Sequence, residues 1–403
     1  MINMKMNKPE LLAPAGDMES LEAALSFGAD AVYLGGRLLQ LRASRAAFDD
    51  ENLIKAVKLA HSRNKKIFVT VNSFAFNDEI ALCAEYARFL RDAGVDAAII
   101  CDLGVMSEFR KAAPELEIHV STQANTMNYS AANVLCSLGA KRIVLARELS
   151  LDEIRKLRDN IPDDVELEAF VHGAMCMSYS GRCILSSFLT NRSGNRGECS
   201  QPCRWNYALV EEKRPGEFFP IYENGEFTTI LSSHDLCCID FLDKLHDAGI
   251  TSFKIEGRMK TAYYVATAVN AYRKAIDGTD SIENCRAELY ALKHRPYSSG
   301  FYFGDVVHSH SNDGHYSQDC TFIGNVIGWE NGILKLRQRN RFSVGETLEV
   351  LSPNLPVIKF EVTEIVNEDG ERQDSAPHPN QIVFVPCETE LKPGDFLRRR
   401  DRV

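Results

Sequence analysis

Cysteine is the residue type whose number and spacing in this sequence point most directly to chemistry. The chain has twelve cysteines, and six of them fall within 63 positions: Cys176, Cys183, Cys199, Cys203, Cys237 and Cys238. Thiolates are soft ligands that suit zinc and iron–sulfur clusters. Structural zinc sites usually pair cysteines at a C-x₂₋₄-C spacing, which Cys199 and Cys203 have and the others lack. The wide, irregular spacing favours an iron–sulfur cluster, in which each iron binds one cysteine; zinc and no metal are the alternatives.

The composition limits the class of protein and its compartment. Hydrophobic residues make up 45% and charged residues 25% of the 403 positions, as in a folded chain with a full core. The net charge of −10 argues against a general nucleic-acid coat protein and leaves room for a local basic patch. The N-terminus is too short and polar for a signal peptide, and no run of about 18 apolar residues predicts a membrane span. We therefore expect a cytoplasmic protein, in which clustered cysteines indicate metal or redox chemistry.

The elements that must position the cysteines alternate between short apolar strands and amphipathic helices over the first 260 residues. This alternation predicts an α/β fold with a parallel sheet. Seven or eight such units predict a (β/α) TIM-like barrel, complete or irregular, with a doubly wound open sheet as the alternative. The predicted strands are Glu10–Ala13, Ala31–Leu34, Lys66–Asn72, Ala97–Cys101, Ile118–Thr122, Arg142–Leu145, Glu166–His172, Thr228–Ser232 and Ser252–Glu256.

Polar residues gather at the ends of these strands, where the active sites of (β/α) barrels lie. We predict a polar pocket there, with Glu168, His172 and Arg258 as catalytic residues and Arg147, Lys254 and Glu256 binding substrate. The alternative for each residue is an ion pair or hydrogen bond that braces the barrel. No GxGxxG turn follows the first strand, so a dinucleotide site is not supported.

After about residue 310 the helical periodicity stops, and short strands with turn signals predict a small C-terminal antiparallel β-barrel. We therefore divide the chain into a barrel domain, residues 1–310, and a small β-domain, residues 311–403. Cationic residues recur there at every second position, which on a strand places them on one face: Lys335, Arg337, Arg339 and Arg341. This face either docks an anionic partner or is a charged edge strand protected against aggregation.

Five segments resemble the U32 "peptidase" (collagenase-like) family, and the resemblance covers about residues 8–310. They are Glu10–Gly16, Gly28–Gly36, Phe170–Cys176 with its continuation through Cys183 and Cys199 to Trp205, Ser233–Cys237 and Phe253–Lys260. One departure is His234, where the family pattern has lysine. Members of this size also carry the small C-terminal β-domain.

The resemblance implies a [4Fe–4S] cluster and hydroxylation of C5 of the wobble uridine in tRNA, with prephenate as a small carboxylate co-substrate. On this hypothesis, the cationic pocket residues hold the donor's carboxylates, the basic C-terminal face docks tRNA phosphates, and no membrane is involved. A partner subunit of the same family is a further expectation. The alternatives are hydroxylation of a ribosomal RNA cytidine or a ubiquinone precursor, proteolysis, and a non-catalytic metal-binding role.

The ligands that we predict for the cluster are Cys176, Cys183, Cys199 and Cys237, with Cys203 and then Cys238 in reserve. Adjacent thiolates point in different directions, so Cys237 and Cys238 are not expected to bind one cluster together. Proteolysis is disfavoured because the sequence has neither HExxH nor GxSxG. A cysteine bound to iron is also not free to act as a nucleophile.

Overall fold

The apolar strands of the first 260 residues pair into a closed parallel barrel. The computed structural model describes residues 8–41, 47–176, 178–179, 183–205, 208–210, 218–220, 234–304, 316–353 and 355–401. The first seven strands are β1 (Glu10–Pro14), β2 (Ala31–Gly35), β3 (Lys66–Val71), β4 (Ala97–Ile100), β5 (Glu117–Val120), β6 (Ala140–Val144) and β7 (Glu166–Ala174). Three short strands follow, β8 (Ala208–Val210), β9 (Phe218–Pro220) and β10 (Asp235–Cys237), and then the eighth barrel strand, β11 (Ser252–Ile255). Because β11 pairs with both β1 and β7, the parallel sheet closes on itself.

Helices connect the barrel strands and cover the outside of the sheet. They are α1 (Met18–Ser26), α2 (Asp50–Ser62), α3 (Asn77–Asp92), α4 (Leu103–Ala112), α5 (Tyr129–Ser137), α6 (Leu151–Arg158), α7 (Leu185–Thr190), α8 (Leu242–Asp247), α9 (Ala262–Asp277) and α10 (Ile282–Tyr290). Most begin after a side chain that caps the first turn, as the sequence pattern requires: Asp17, Asp49, Asp102, Asn128, Ser150, Thr261 and Ser281. Within the described ranges, no helix is long and apolar enough to cross a membrane.

The predicted TIM-like barrel is confirmed, and eight of the nine predicted strands match observed ones with ends that shift by one or two residues. The ninth, Thr228–Ser232, lies outside the described residues. The apolar pattern also predicts a helix over Leu236–Ala248. This prediction is wrong in its first part, because the observed helix α8 begins only at Leu242. There β10 forms instead and pairs antiparallel with the end of β7. Sheet pairing with β7 therefore overrides the local helical pattern.

The C-terminal domain is an antiparallel sheet, as predicted, but it curls without closing. Its strands, after β12 (Tyr297–Ser298) of the barrel sheet, are β13 (Cys320–Glu330), β14 (Ile333–Gln338), β15 (Phe342–Ser343), β16 (Thr347–Leu351), β17 (Ile358–Glu361), β18 (Ile365–Asn367), β19 (Arg372–Gln373), β20 (Ser375–Ala376), β21 (Ile382–Pro386) and β22 (Phe396–Arg400). Eight of them form one sheet in the order β17-β16-β22-β13-β14-β21-β18-β19, and β15 pairs with β20. The predicted boundary at residues 310 and 311 lies outside the described residues.

The basic face predicted on β14 is only partly correct. Leu334 and Leu336 are buried, and Lys335 and Arg337 alternate with them on the outer face. The strand ends at Gln338, so Arg339 and Arg341 do not share that face. The Arg339 guanidinium instead bonds to Asn325 at 3.1 Å and lies 3.3 Å from the carboxylate of Glu19 in α1.

Aromatic rings and one buried arginine join the two domains. The ring of Tyr263 in α9 stacks on Phe322 at 4.8 Å, and Phe396 packs beside both rings. Arg398 is fully buried, and its guanidinium contacts the Glu288 carboxylate of α10 at 2.7 and 2.8 Å. It also bonds to Glu349 of its own domain at 2.9 Å. A charge in this position is tolerated because both carboxylates neutralise it.

Replacement of Arg398 by Met should lower the free energy of unfolding by about 3–5 kcal/mol, because two buried carboxylates lose their counter-charge. The matched control is Arg337→Met on the exposed face of β14, with an expected change within about 0.5 kcal/mol. Urea denaturation followed by circular dichroism measures both values. Equal stabilities for the two variants would show that Arg398 does not hold the domains together.

Candidate active site

A cavity of about 210 Å³ lies at the carboxyl ends of the barrel strands. The loops that follow the parallel strands meet at this end, so residues far apart in sequence share its wall. Its lining residues include Tyr33, Leu41, Thr70, Asn72, Ile99, Ser121, Thr122, Gln123, Arg147, Phe170, Met175, Cys176, Tyr179, Cys183, Ser186, Cys199, Gln201, Cys203, Lys254, Glu256 and Arg258. The structure thus brings to one place three of the four predicted cluster ligands, the reserve ligand Cys203 and four of the six predicted pocket residues.

Four thiols form one side of this cavity: Cys176, Cys183, Cys199 and Cys203. Cys176 follows the end of β7, and Cys183 precedes α7. Cys199 precedes a turn of 3₁₀ helix, Pro202–Arg204, and Cys203 lies within it. The Ser200 hydroxyl lies 3.0 Å from the Ser186 and Thr190 hydroxyls of α7, and these contacts hold the two cysteine-bearing loops together.

The donor chemistry of this wall, four thiols around one cavity, fits the soft ligands that an iron–sulfur cluster requires. Among the described residues, no three His, Cys, Asp or Glu side chains converge closely enough to hold one ion. A four-iron cluster takes one thiolate at each iron, so its ligands line a space instead of meeting at a point. The backbone N–H of Gln201 donates to the Cys199 sulfur at 3.4 Å. Such hydrogen bonds stabilise cluster thiolates and adjust their potential.

The other two of the six closely spaced cysteines, Cys237 and Cys238, are not among the residues that line the cavity. Cys237 is in β10 beside His172, and its sulfur lies 3.8 Å from the hydroxyl of Tyr272. Burial raises the pKa of the Cys237 thiol to about 11. Cys238 is fully buried in the apolar core, where burial raises its thiol pKa well above the usual value. The reserve ligand Cys203 therefore lines the cavity together with three predicted ligands. Cys237 is instead paired with His172 of β7 and does not line the cavity.

Cationic side chains also line the cavity. The Lys254 ammonium lies 4.4 Å from the ring of Tyr33 and 2.6 Å from the Glu168 carboxylate. The Arg147 guanidinium donates to the carbonyl of Ala174 at 3.1 Å and lies over the Phe170 ring at 5.4 Å. The contacts that the described residues make with Arg147 are therefore uncharged, so its charge can pair with an anion in the cavity.

Arg258 has a different environment from Arg147. It is 5% exposed and donates to the side-chain oxygens of Gln40 and Thr70 at 3.0 Å each, and to the backbone carbonyl of Leu41. Gly35 leaves the space for its guanidinium, since a Cβ at that position would collide with it. Arg258 therefore both lines the cavity and holds the loop that follows β2.

The prediction that Glu168 faces the cavity is wrong. Its side chain lies deeper in the barrel lumen, below Lys254. It is fully buried between Lys254 and Arg142, whose guanidinium is 3.1 Å from the carboxylate. Burial alone would raise the pKa of Glu168, but the two cations outweigh it and hold the pKa below its usual value. Its role in this position is to neutralise Lys254, which is the cavity residue.

The prediction that His172 faces the cavity is also wrong. One extra residue in β7 shifts the register, so that Phe170 pairs with Lys254 but His172 pairs with Ile255. This β-bulge reverses the alternation of side chains and turns His172 outward against the rings of Tyr272 and Tyr297, each at 5.4 Å. Burial there lowers the imidazole pKa to about 3.

Two residues of this centre were missed in the sequence. Tyr33 lines the cavity and donates from its hydroxyl to the carbonyl of Ile255 at 3.0 Å. Arg142 binds Glu168 and Glu10 within the lumen. Both residues could have been identified from the sequence, because each is a polar or aromatic residue within an otherwise apolar strand. In a barrel, such a side chain can face the lumen.

Replacement of Glu168 by Gln should cost about 3–5 kcal/mol of folding free energy, because Lys254 stays buried without its counter-charge. The matched control is Glu166→Gln, which removes a half-exposed carboxylate from the same arginine and should cost about 1 kcal/mol or less. Denaturant titration of both variants measures the difference.

The pH dependence gives a second test of Glu168. Its folded pKa is lowered, so its contribution is complete above about pH 4.3, the unfolded value, and is lost as the pH falls further. The acid-induced loss of stability should therefore be shallower in Glu168→Gln than in the wild type. An identical pH profile would contradict the ion pair.

Family models and similar proteins both relate this chain to one family. The family model of peptidase family U32 matches residues 16–312, and that of the peptidase family U32 C-terminal domain matches residues 318–398. The chain is 37% identical to tRNA hydroxylation protein P1 of Bacillus subtilis, over 97% of this chain and 95% of that protein. It is 34% identical to tRNA hydroxylation protein P of Escherichia coli, over 98% and 97%. An uncharacterized protease of Methanocaldococcus jannaschii is 40% identical over 75% of this chain and 74% of its own length. The chain, as its sequence motifs indicated, belongs to peptidase family U32.

Proposed function

We propose that this protein hydroxylates tRNA, at C5 of the wobble uridine, using a [4Fe–4S] cluster and a prephenate-type carboxylate co-substrate. The observation that carries the proposal is a single cavity whose walls combine four cysteine thiols with the side chains of Arg147 and Lys254. The names of the Bacillus subtilis and Escherichia coli relatives, which align over almost the whole chain, support tRNA hydroxylation.

The residues of the cavity have separate roles in this proposal. A bound cluster supplies one-electron redox chemistry. Arg147 offers a planar donor pair that suits a carboxylate, and Lys254 adds a second positive charge held in place by Glu168. Tyr33 and Phe170 form apolar surface beside these cations, which suits a cyclic carbon skeleton between two carboxylates.

The C-terminal domain supplies a second contact with the RNA in this proposal. Lys335 and Arg337 lie on the outer face of β14, and Arg341 is exposed just beyond it. Arg339 links the end of β14 to Glu19 at the start of α1, next to the carboxyl end of β1. In this proposal, the basic residues bind phosphates of the RNA whose base enters the cavity.

The name of the Methanocaldococcus relative raises proteolysis as a second candidate. A cysteine protease needs an imidazole next to its thiolate. His172 is four residues from Cys176, but its ring lies among tyrosines and burial lowers its pKa to about 3. The geometry therefore favours hydroxylation over proteolysis.

The test of function uses a deletion strain and mass spectrometry of its tRNA nucleosides. The strain should lack 5-hydroxyuridine and regain it with the wild-type gene. Arg147→Met should bind iron normally but restore about tenfold less product or lower, because a charge-assisted carboxylate contact is worth about 1.5–3 kcal/mol. Arg155→Met, on the exposed face of α6, is the matched control with wild-type levels. Unchanged 5-hydroxyuridine in the deletion strain would refute the proposed function.

The test of the cluster uses single cysteine variants. Cys176→Ala, Cys183→Ala and Cys199→Ala should each lose iron and visible absorption after anaerobic purification, because each removes a thiolate ligand. Cys136→Ser, in the partly exposed α5, is the control that keeps both. Loss of iron in Cys203→Ala or in Cys237→Ala identifies the fourth ligand. Full iron content in Cys176→Ala would refute the assignment.

A further inference from the structure

Four aromatic side chains around the cavity mouth are turned towards solvent. Phe76, Tyr179, Phe188 and Trp205 are 67%, 55%, 81% and 48% exposed, and we call them the aromatic rim. Isolated exposed apolar residues are common, but a group of large rings around one opening indicates a binding surface.

Three members of the rim are connected to the cavity by their neighbours in sequence. Tyr179 itself lines the cavity, and Phe188 lies on α7, whose Leu185 and Ser186 line it. Trp205 follows the 3₁₀ turn that contains Cys203, and its backbone N–H donates to the carbonyl of Pro202 at 3.0 Å. These three rings therefore lie on the same segments that line the cavity beside the thiols.

Arg196 joins the fourth member, Phe76, to the cysteine loops. Its guanidinium donates to both carboxylate oxygens of Glu79, at 2.9 and 2.5 Å, and to the carbonyl of Phe74 at 2.7 Å. It lies over the Phe76 ring at 4.7 Å. Arg196 thus covers one face of the ring and restricts its motion, while most of the ring stays exposed. Little side-chain freedom would therefore be lost when a ligand stacks on it.

The charge of the same segment differs from that of the whole chain. Residues 183–205 contain three arginines and one glutamate; with Glu79, which pairs with Arg196, the net charge is +1 within a chain of net charge −10. Exposed rings interleaved with cationic residues are typical of surfaces that bind single-stranded nucleic acid, because bases stack on the rings and phosphates pair with the cations.

We propose that the aromatic rim binds an unpaired RNA loop by stacking the bases next to the one that enters the cavity. The inference rests on the proposed function and deepens it, since it identifies the single-stranded loop as the part of the RNA that the barrel recognises. Base pairs in a duplex keep their faces stacked on each other, so only an unpaired loop offers free faces to the rim. Positive charge at the mouth of an acidic protein favours this occupant over a protein partner.

The test exploits the two tryptophans of the chain, Trp205 and Trp329. In the full-length Trp329→Phe variant, all tryptophan emission comes from the rim. A short RNA hairpin with an unpaired loop should quench this emission, and a fully paired duplex with the same stem should not. In the reciprocal Trp205→Phe variant the hairpin should leave the emission of Trp329 unchanged.

A pair of neighbouring variants then separates stacking from general apolar contact. Phe188→Ala should bind the hairpin about tenfold more weakly, since stacking on one ring is worth about 1–3 kcal/mol, and Phe188→Tyr should restore the affinity. Ile184→Ala removes a side chain that is 70% exposed just before α7 but has no aromatic face, so it should bind like the wild type. Because both side chains are largely exposed, neither truncation should affect folding.

The outcomes also separate this inference from the proposed function, because binding is measured without co-substrate or turnover. Unchanged Trp205 emission with the hairpin, or wild-type affinity in Phe188→Ala, would overturn the inference even if the protein hydroxylates tRNA. Equal losses in Phe188→Ala and Ile184→Ala would also overturn it, because hairpin binding would then not depend on an aromatic face. Quenching by the hairpin with aromatic-specific loss would support it even in a preparation that forms no 5-hydroxyuridine.

Discussion

Closure of the parallel sheet is the constraint on which the rest of the molecule depends. Hydrogen bonds from β11 to β1 on one side and to β7 on the other leave the barrel without an edge. They also bring the carboxyl ends of all eight strands around one axis. The charged side chains inside the barrel lumen are buried, so their charges must neutralise one another. Arg142, Glu168 and Lys254 do so in a chain of ion pairs that ends at the floor of the cavity.

This arrangement separates rigidity from chemistry. The strands and lumen charges are fixed by pairing and burial, while the thiols lie in the loops that follow β7, where the backbone can wrap around a cofactor. A charged lysine at the cavity floor is stable because a buried carboxylate holds it. Arg147 is held by a carbonyl and a ring instead, and this difference makes it the better partner for the carboxylate co-substrate that we propose.

The C-terminal domain shows that a count of charges is a poor guide to a binding surface. Three consecutive arginines end the last strand, yet all three contact carboxylates: Arg398 with Glu288 and Glu349, Arg399 with Glu346, and Arg400 with Glu349. These residues hold the domain together and to the barrel. Of the four cations that the sequence placed on one face, Lys335, Arg337 and Arg341 remain towards solvent, a smaller surface than the sequence indicated.

The sequence by itself determined the elements and their order. Apolar runs of strand length, capping residues such as Asp17 and Thr261, and irregularly spaced cysteines are local signals, and the barrel and the thiol cavity follow from them. Only the tertiary structure decided which way His172 faces, because a one-residue bulge in β7 relative to β11 reverses the side chain without any mark in the local pattern. It also decided the partners of Arg339 and Arg398, whose carboxylates are 320 and 110 residues away in the chain. Alternation along a strand predicts a face, but the neighbour that meets that face is set by long-range packing.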